Sequence, residues 1–342
     1  MPDIDPQNLK KTPDDGSGPA QNDRPRATRT SRRWLAVFPV VLWTAGIILR
    51  LTIRDRVPLV AVLFYATPPI VLSALAFVAA GLLLKSKCRR FAAVAAISGI
   101  VCGCWWSHSS FYQHDSPSVA DEFRVLFWNC RHGYHGWKSI AEEIHRVDAP
   151  LIGLVEAGGY TQKQREFWRW EFIDYDIASP GSGIVLMTRG KVVRSRLIPL
   201  ARGGRCGQFE VLLDGKQLMV FVVDIKSNPF VSRREPLKEL TALIELERDK
   251  LTVLMGDFNV PADSAFLDDL RNSLTNAFET AGDGYAATWP LPVPVLTLDQ
   301  VWVGRHLQLH GCRHLWTSSS DHRAVVTRLS ILSDAPRLNT GR

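Results

Sequence analysis

The chain has 342 residues, room for about two domains, and a formal net charge of +7. The surplus is local: residues 1–106 carry 14 Lys and Arg against 6 Asp and Glu, while the other 27 basic and 28 acidic residues leave 107–342 at −1. A bulk basic surface for nucleic acid is therefore excluded over the larger part, and six cysteines without a C-x-x-C pair exclude a zinc ribbon or a dense disulfide framework.

In chain order, residues 1–33 are rich in Pro, Asp, Gly, Asn and Arg and bury too little to offset the entropy of ordering, so they read as a disordered basic tail. Three uncharged apolar stretches follow: 34–49 (WLAVFPVVLWTAGIIL), 57–84 (VPLVAVLFYATPPIVLSALAFVAAGLLL) and 91–106 (FAAVAAISGIVCGCWW). A bilayer core takes roughly 20 apolar residues per helix, so the middle stretch spans easily and the outer two need flanking residues whose arginines snorkel. The expectation is about three transmembrane helices in a multi-pass integral membrane protein whose first partner is the lipid bilayer.

Charge sets the expected orientation. Arg24, Arg26, Arg29, Arg32 and Arg33 precede the first stretch and Lys85, Lys87, Arg89 and Arg90 lie between the second and third, whereas SHSSFYQHDSPS after the third has no Lys or Arg. An odd number of spans puts the larger domain outside the cytoplasm. Arg50, Arg54 and Arg56 in the first loop count against this orientation.

Residues 107–121 read as a linker and 333–342 as a tail. Between them, 122–332 alternate strand-like and helix-like patterns: EFRVLFWNC, then the amphipathic GWKSIAEEIHRV, then PLIGLVEA. GIVLMT, VVRSRLIPL, GQFEVLLDG, KQLMVFVVDI, LTVLMGD, LDQVWVG and HRAVVTRLSI continue the strands, and EPLKELTALIELERDK is the clearest later helix. Nothing in the sequence brings Cys206 and Cys312 together, so no disulfide is expected, and no protein partner is inferable.

Polar residues fall at the strand ends: Asn129, Glu156, Asp257 with Asn259, Asp299, and Asp321 with His322. Four carboxylates, two amides and one imidazole form the oxygen-rich set that a hard cation such as Mg²⁺ or Mn²⁺ prefers, with a base left over. Each alone has a plain structural explanation, since Asp and Asn favour turns and caps.

RVLFWN, PLIGLVE, LTVLMGDFN, TLDQVWV and SSSDHRAVV stand in the order and approximate spacing of the endonuclease/exonuclease/phosphatase superfamily, which the chain resembles over roughly 122–332. The resemblance implies a four-layer α/β sandwich of two mixed β-sheets flanked by helices. It implies Glu156 as the principal metal ligand with Asn129 and Asp321, Asp257 orienting or deprotonating the attacking water, Asn259 holding a phosphate oxygen, and His322, polarised by Asp299, donating to the phosphate. One departure concerns the strand LMVFVVDIKSNP, after which many members carry a phosphate-binding histidine. Here Asp224 or a neighbour occupies that place, with Lys226 close by to supply the charge, or Asp224 to serve as a further ligand. Arg189 is a candidate phosphate contact, as are Arg202 and Arg205, and Trp289 resembles a position at the cleft rim. His132, His135 and His145 read as surface histidines, with a substrate contact conceivable for His135.

The expected activity is hydrolysis of a phosphodiester or phosphomonoester. Lipid headgroups, nucleic acid and soluble phosphate esters compete as substrates. An anchored extracytoplasmic nuclease, with Arg194, Arg196, Arg202, Arg205, Arg233 and Arg234 as a local basic stripe, and a non-catalytic membrane protein that keeps the fold for binding are the alternatives.

Overall fold

The computed structural model describes residues 29–114, 118–158 and 161–332, so the two expected tails lie outside it apart from Arg29–Arg33, which begin the first helix. Four helices come first: α1 (Arg29–Leu51), α2 (Pro58–Ala66), α3 (Pro69–Lys85) and α4 (Arg89–Ser110).

The middle apolar stretch is not one helix. Pro68 and Pro69 break it, because proline lacks the N–H of the helical ladder and crowds the residue before it out of the α region. α2 and α3 consequently meet at 75°. Only α4 among the described helices is by itself long and apolar enough to cross a membrane; α2 with α3 qualify together as a bent pair, and the apolar part of α1, Val37–Leu51, is shorter. Three straight spans at 34–49, 57–84 and 91–106 are thus corrected to one such helix, one bent pair and one shorter helix.

The expected linker contains structure too. α4 runs directly into β1 (Phe111–Gln113), which pairs with β11 (Gly282–Tyr285), and Trp106, Phe111 and Tyr285 pack their rings together at that junction.

The rest builds two sheets. One has eight strands in the order β1, β11, β13 (Leu307–Leu315), β14 (Ala324–Ile331), β2 (Phe123–Asn129), β3 (Leu151–Val155), β5 (Ile184–Thr188), β4 (Asp176–Gly181). The other has six: β10 (Thr275–Asn276), β12 (Asp299–Val303), β9 (Leu251–Asp257), β8 (Lys216–Asp224), β7 (Arg205–Leu213), β6 (Lys191–Pro199). Both are mixed, since β2 and β3, and likewise β8 and β9, run parallel within otherwise largely antiparallel neighbours.

Period-two alternation sorts each strand between two cores. Val125 and Phe127 of β2 point between the sheets, where they meet Val220, Val222, Val253 and Met255, while Leu126 and Trp128 point outward. The outward pair packs under α5 (Trp137–Val147) and α6 (Gln162–Glu171), reached by Ile140, Ile144 and Trp168. On the far side, Phe221, Val223 and Leu254 pack under α7 (Arg234–Glu245), with Leu237, Leu240 and Ile244 at helical spacing. The sheets approach closely at Gly153, where a Cβ would collide with Met255. Helices, sheet, sheet and helix give the four layers, and a short α8 (Ala277–Ala281) closes one end.

Candidate active site

The direction of each strand decides which residues gather. β8 and β9 are parallel, so Asp224 and Asp257 close both strands side by side; β12 is antiparallel to β9, so its first residue, Asp299, stands opposite Asp257. Three carboxylates therefore form one row across the end of the six-stranded sheet. Asn129, last in β2 of the other sheet, reaches across and its Nδ2 donates to Asp257 Oδ2 at 3.0 Å. β14 is antiparallel to β2, which delivers Asp321 and His322, just ahead of it, to the same end.

Each group is held. Asp257 Oδ1 accepts the Asn259 backbone N–H at 3.0 Å, and Asn259 Nδ2 donates to the Ile225 carbonyl at 2.7 Å. The His322 ring puts Nδ1 2.8 Å from Asp299 Oδ2 and 3.1 Å from Oδ1, and the Asp299 backbone N–H donates to Thr288 Oγ1. Glu156 directly follows β3, half-exposed, with His132 Nε2 3.2 Å from its Oε2. Glu156 and Asn259 both adopt φ of +50°, a left-handed conformation that costs a non-glycine residue energy and recurs at functional sites.

Burial and like charge set the protonation. Burial, and then Asp299 beside it, push the Asp257 carboxyl well above the usual carboxylate range. Burial alone would lower the His322 imidazolium, but Asp299, by charge and hydrogen bond, together with Asp257 and Asp321, raises the group to about 10. Asp224 is lifted to about 6 by burial, against the pull of Arg205 at 3.5 Å.

Glu156, Asp257, Asn259, Asp321 and His322 open on one cleft of about 490 Å³. Trp289 is at its rim, 6.3 Å from the His322 ring. Asp257, Asp299 and His322 present ligand atoms within 4.8 Å of one another. An imidazolium tied to Asp299 has no lone pair for a cation, so this trio is better suited to moving and stabilising charge. Among the remaining oxygens, Asp321 Oδ1 is buried with no hydrogen-bond partner, the condition a hard cation would satisfy, and Glu156 and Asn129, whose Oδ1 accepts the Arg131 backbone N–H, carry further oxygens of the kind such a cation takes.

Two expected contacts lie elsewhere. Arg189 follows β5, which is antiparallel to β3, so it emerges at the end opposite Glu156, where it pairs with Asp148 and covers Tyr175. Lys226 is exposed and lies against Gly203, outside the cleft lining. Within the basic stripe Arg194 pairs with Glu210, Arg202 with Glu235 and Arg205 with Asp224, and Arg196 donates to Gln208.

The cation that does face the cleft is Arg233, 3% exposed, held by the Ser227 and Val231 carbonyls and left with Nε unpartnered. Arg131 joins it, with Nε 3.5 Å from Asp321. Arg233, singled out above only within the basic stripe, thus lies on the cleft, and His132, read as a surface histidine, is exposed while its ring contacts Glu156. Val62, Tyr65 and Ala66 of α2 also line the cleft, and Arg233 covers the Tyr65 ring at 5.2 Å.

The sequence profile of the Endonuclease/Exonuclease/phosphatase family matches residues 126–322. Among curated proteins none matches the chain. Solved structures share its fold: the catalytic domain of human nocturnin, with bound sulfate, at 20% identity and TM-score 0.51, covering 64% of this chain and 97% of that one. A mannosyl-6-phosphatase of Bacteroides thetaiotaomicron aligns at 15% identity and TM-score 0.52 over 61% of this chain and all (100%) of the other. A humanized D. rerio TDP2 aligns at 12% identity and TM-score 0.51, covering 62% and 100%.

Proposed function

Because the chain belongs to the endonuclease/exonuclease/phosphatase family, we propose that it is a membrane-anchored, Mg²⁺- or Mn²⁺-dependent phosphoesterase. The observation that carries this reading is the His322–Asp299 pair set beside Asp257 at matched strand ends on one cleft.

Asp257, steered by Asn129 and Asn259, orients a water and takes its proton; burial makes it a stronger base than an exposed carboxylate. The water oxygen bonds to phosphorus in line as the ester P–O bond breaks, and the departing oxygen is protonated from solvent. With Nδ1 committed to Asp299, His322 donates from Nε2 to the phosphate as negative charge builds on it. Arg233 and Arg131 add positive charge on the cleft wall. Glu156, Asn129 and Asp321 would hold the divalent cation, which supplies Lewis-acid polarisation of a phosphoryl oxygen.

Asp257→Asn should lower turnover of a phosphodiester such as bis-p-nitrophenyl phosphate by about a hundredfold or more while the fold persists by circular dichroism. EDTA should abolish activity, and Mg²⁺ or Mn²⁺ restore it. Full activity in the variant, or in chelated protein, would overturn the assignment.

Two features support attachment to a bilayer, and the placement of charge supports its orientation. Phe38, Phe77, Phe91, Ile97 and Val101 stand exposed on the helices, and only 22% of the α4 apolar window is buried, unlike the core helix of a water-soluble protein. α4 also ends beside β1, so basic Lys85–Arg90 lie at the far end from the catalytic unit, as a domain outside the cytoplasm requires. Arg50, Arg54 and Arg56, which counted against that orientation, each have an acidic partner in Asp263 or Asp268 and are not free loop charges. A cysteine at Ser110 should therefore be labelled by an impermeant reagent on intact cells; labelling only after lysis would reverse the orientation.

A further inference from the structure

We propose, resting on the phosphoesterase reading, that α2 is the chain-binding wall of the active site, taking the apolar substituent of an amphipathic phosphoester drawn from the bilayer. The cleft carries the phosphate chemistry of Asp257, Asn259 and His322, and its lining also includes apolar side chains: Val62 and Ala66 of α2 with Pro229, Leu296 and Leu298. A sugar phosphate or a polynucleotide backbone would give up hydration of its own polar groups against those side chains, whereas an alkyl chain gains from each methylene it buries.

The wall is built in place. In the turn between α1 and α2, buried Asp55 accepts the Ala265 backbone N–H at 2.8 Å, the Ser264 hydroxyl, and the Tyr65 hydroxyl at 3.1 Å. Arg50 donates to the Thr67 carbonyl at 2.7 Å and the Phe64 carbonyl at 2.9 Å, and pairs with Asp263. These bonds pin both ends of the wall to the segment that follows Asn259. Along α2, Leu59, Val62 and Ala66 share one helical face, and Leu59 is 92% exposed. An apolar stripe thus leads from the open surface to the catalytic groups, while Ala61 and Phe64 are buried.

The test uses the full chain in lipid nanodiscs with alkyl p-nitrophenyl phosphate diesters carrying methyl, butyl or hexyl groups, all below their aggregation concentrations. Burial of even part of the chain predicts a rise in kcat/KM of about tenfold or more from methyl to hexyl, carried by KM. Val62→Asp should flatten that slope to about threefold or less, and Val62→Ser, a milder change, should reduce it. The variants separate the wall from simple partitioning into the nanodisc, which they leave untouched. A flat series in the native chain with the methyl ester still cleaved, or a native slope in both variants, would overturn the wall while leaving the phosphoesterase reading intact. Failure to cleave any ester under these conditions would remove both.

Discussion

The two halves of this molecule treat the same residue types in opposite ways. In the sandwich, Phe127, Phe209, Phe221 and Val222 are sealed between and beneath the sheets. In the helical part, Phe38, Phe77, Phe91 and Ile97 are largely exposed, and most of what is buried in α3 and α4 is small, Ala76, Ala79, Ala80, Ala92 and Ala95 beside Leu72, with Phe64 of α2 the large aromatic exception. Apolar burial drives the first arrangement in water. The second is the pattern expected where the surroundings are themselves apolar, so that helices associate through small residues rather than by hiding large ones.

The largest effect that would sharpen this contrast is on stability. Phe221→Ala leaves a cavity in a closed core and should cost about 3–5 kcal/mol, lowering the Tm of the full chain in nanodiscs by roughly 10 °C. Ile97→Ala, at a position 61% exposed, should shift it by about 1–2 °C at most. Equal shifts would mean that both halves bury their apolar side chains alike.

A smaller effect isolates the sandwich by pH. His314 is buried against Phe278 with ring centroids 4.1 Å apart, and burial, then the Arg323 guanidinium, lower it to about 3. The unfolded chain binds this proton from about pH 6.5 downward and the folded one does not, so stability present above pH 6.5 falls progressively toward pH 3. At pH 5 the loss is about 2 kcal/mol, and His314→Gln should remove that part of the acid sensitivity in urea titrations. Identical pH slopes in variant and native protein would show that His314 titrates normally.

The smallest concerns the joint between the halves. Arg54 reaches Asp268 with its two terminal guanidinium nitrogens, but the pair is partly exposed, so Arg54→Ala should cost only about 0.5–1 kcal/mol and less in high salt. A loss several times larger would mean that the halves fold only together.

Much of the sandwich was legible because alternation is local: β2, β3, β8 and β9 announce themselves in runs of Val, Leu, Ile and Phe with a polar residue at the end. Asn129, Asp257, Asp299 and His322 could be singled out for the same reason. Strand direction was not legible, which is why Arg189, at the wrong end of β5, passed as a phosphate contact. Strands of two to four residues such as β1, β10 and β11 hold too little pattern to see, so a segment that joins the sheet read as a linker. The Pro68–Pro69 break was visible in the letters but not its 75° consequence. Arg233 and the α2 wall depend on contacts such as Asp55 with Ser264, 209 residues apart, for which no sequence window exists.

The way α2 is seated bears on how the protein is prepared. Cutting the chain at residue 107 to keep the sandwich alone would remove more than a set of apolar helices. It would strip the aromatic ring from beneath Arg233, leave Asp263 without Arg50 and Asp268 without Arg54 and Arg56, and remove Val62, Tyr65 and Ala66 from the cleft lining. A fragment of that kind would be an enzyme with a missing part, and its preference among substrates would describe the cut as much as the protein.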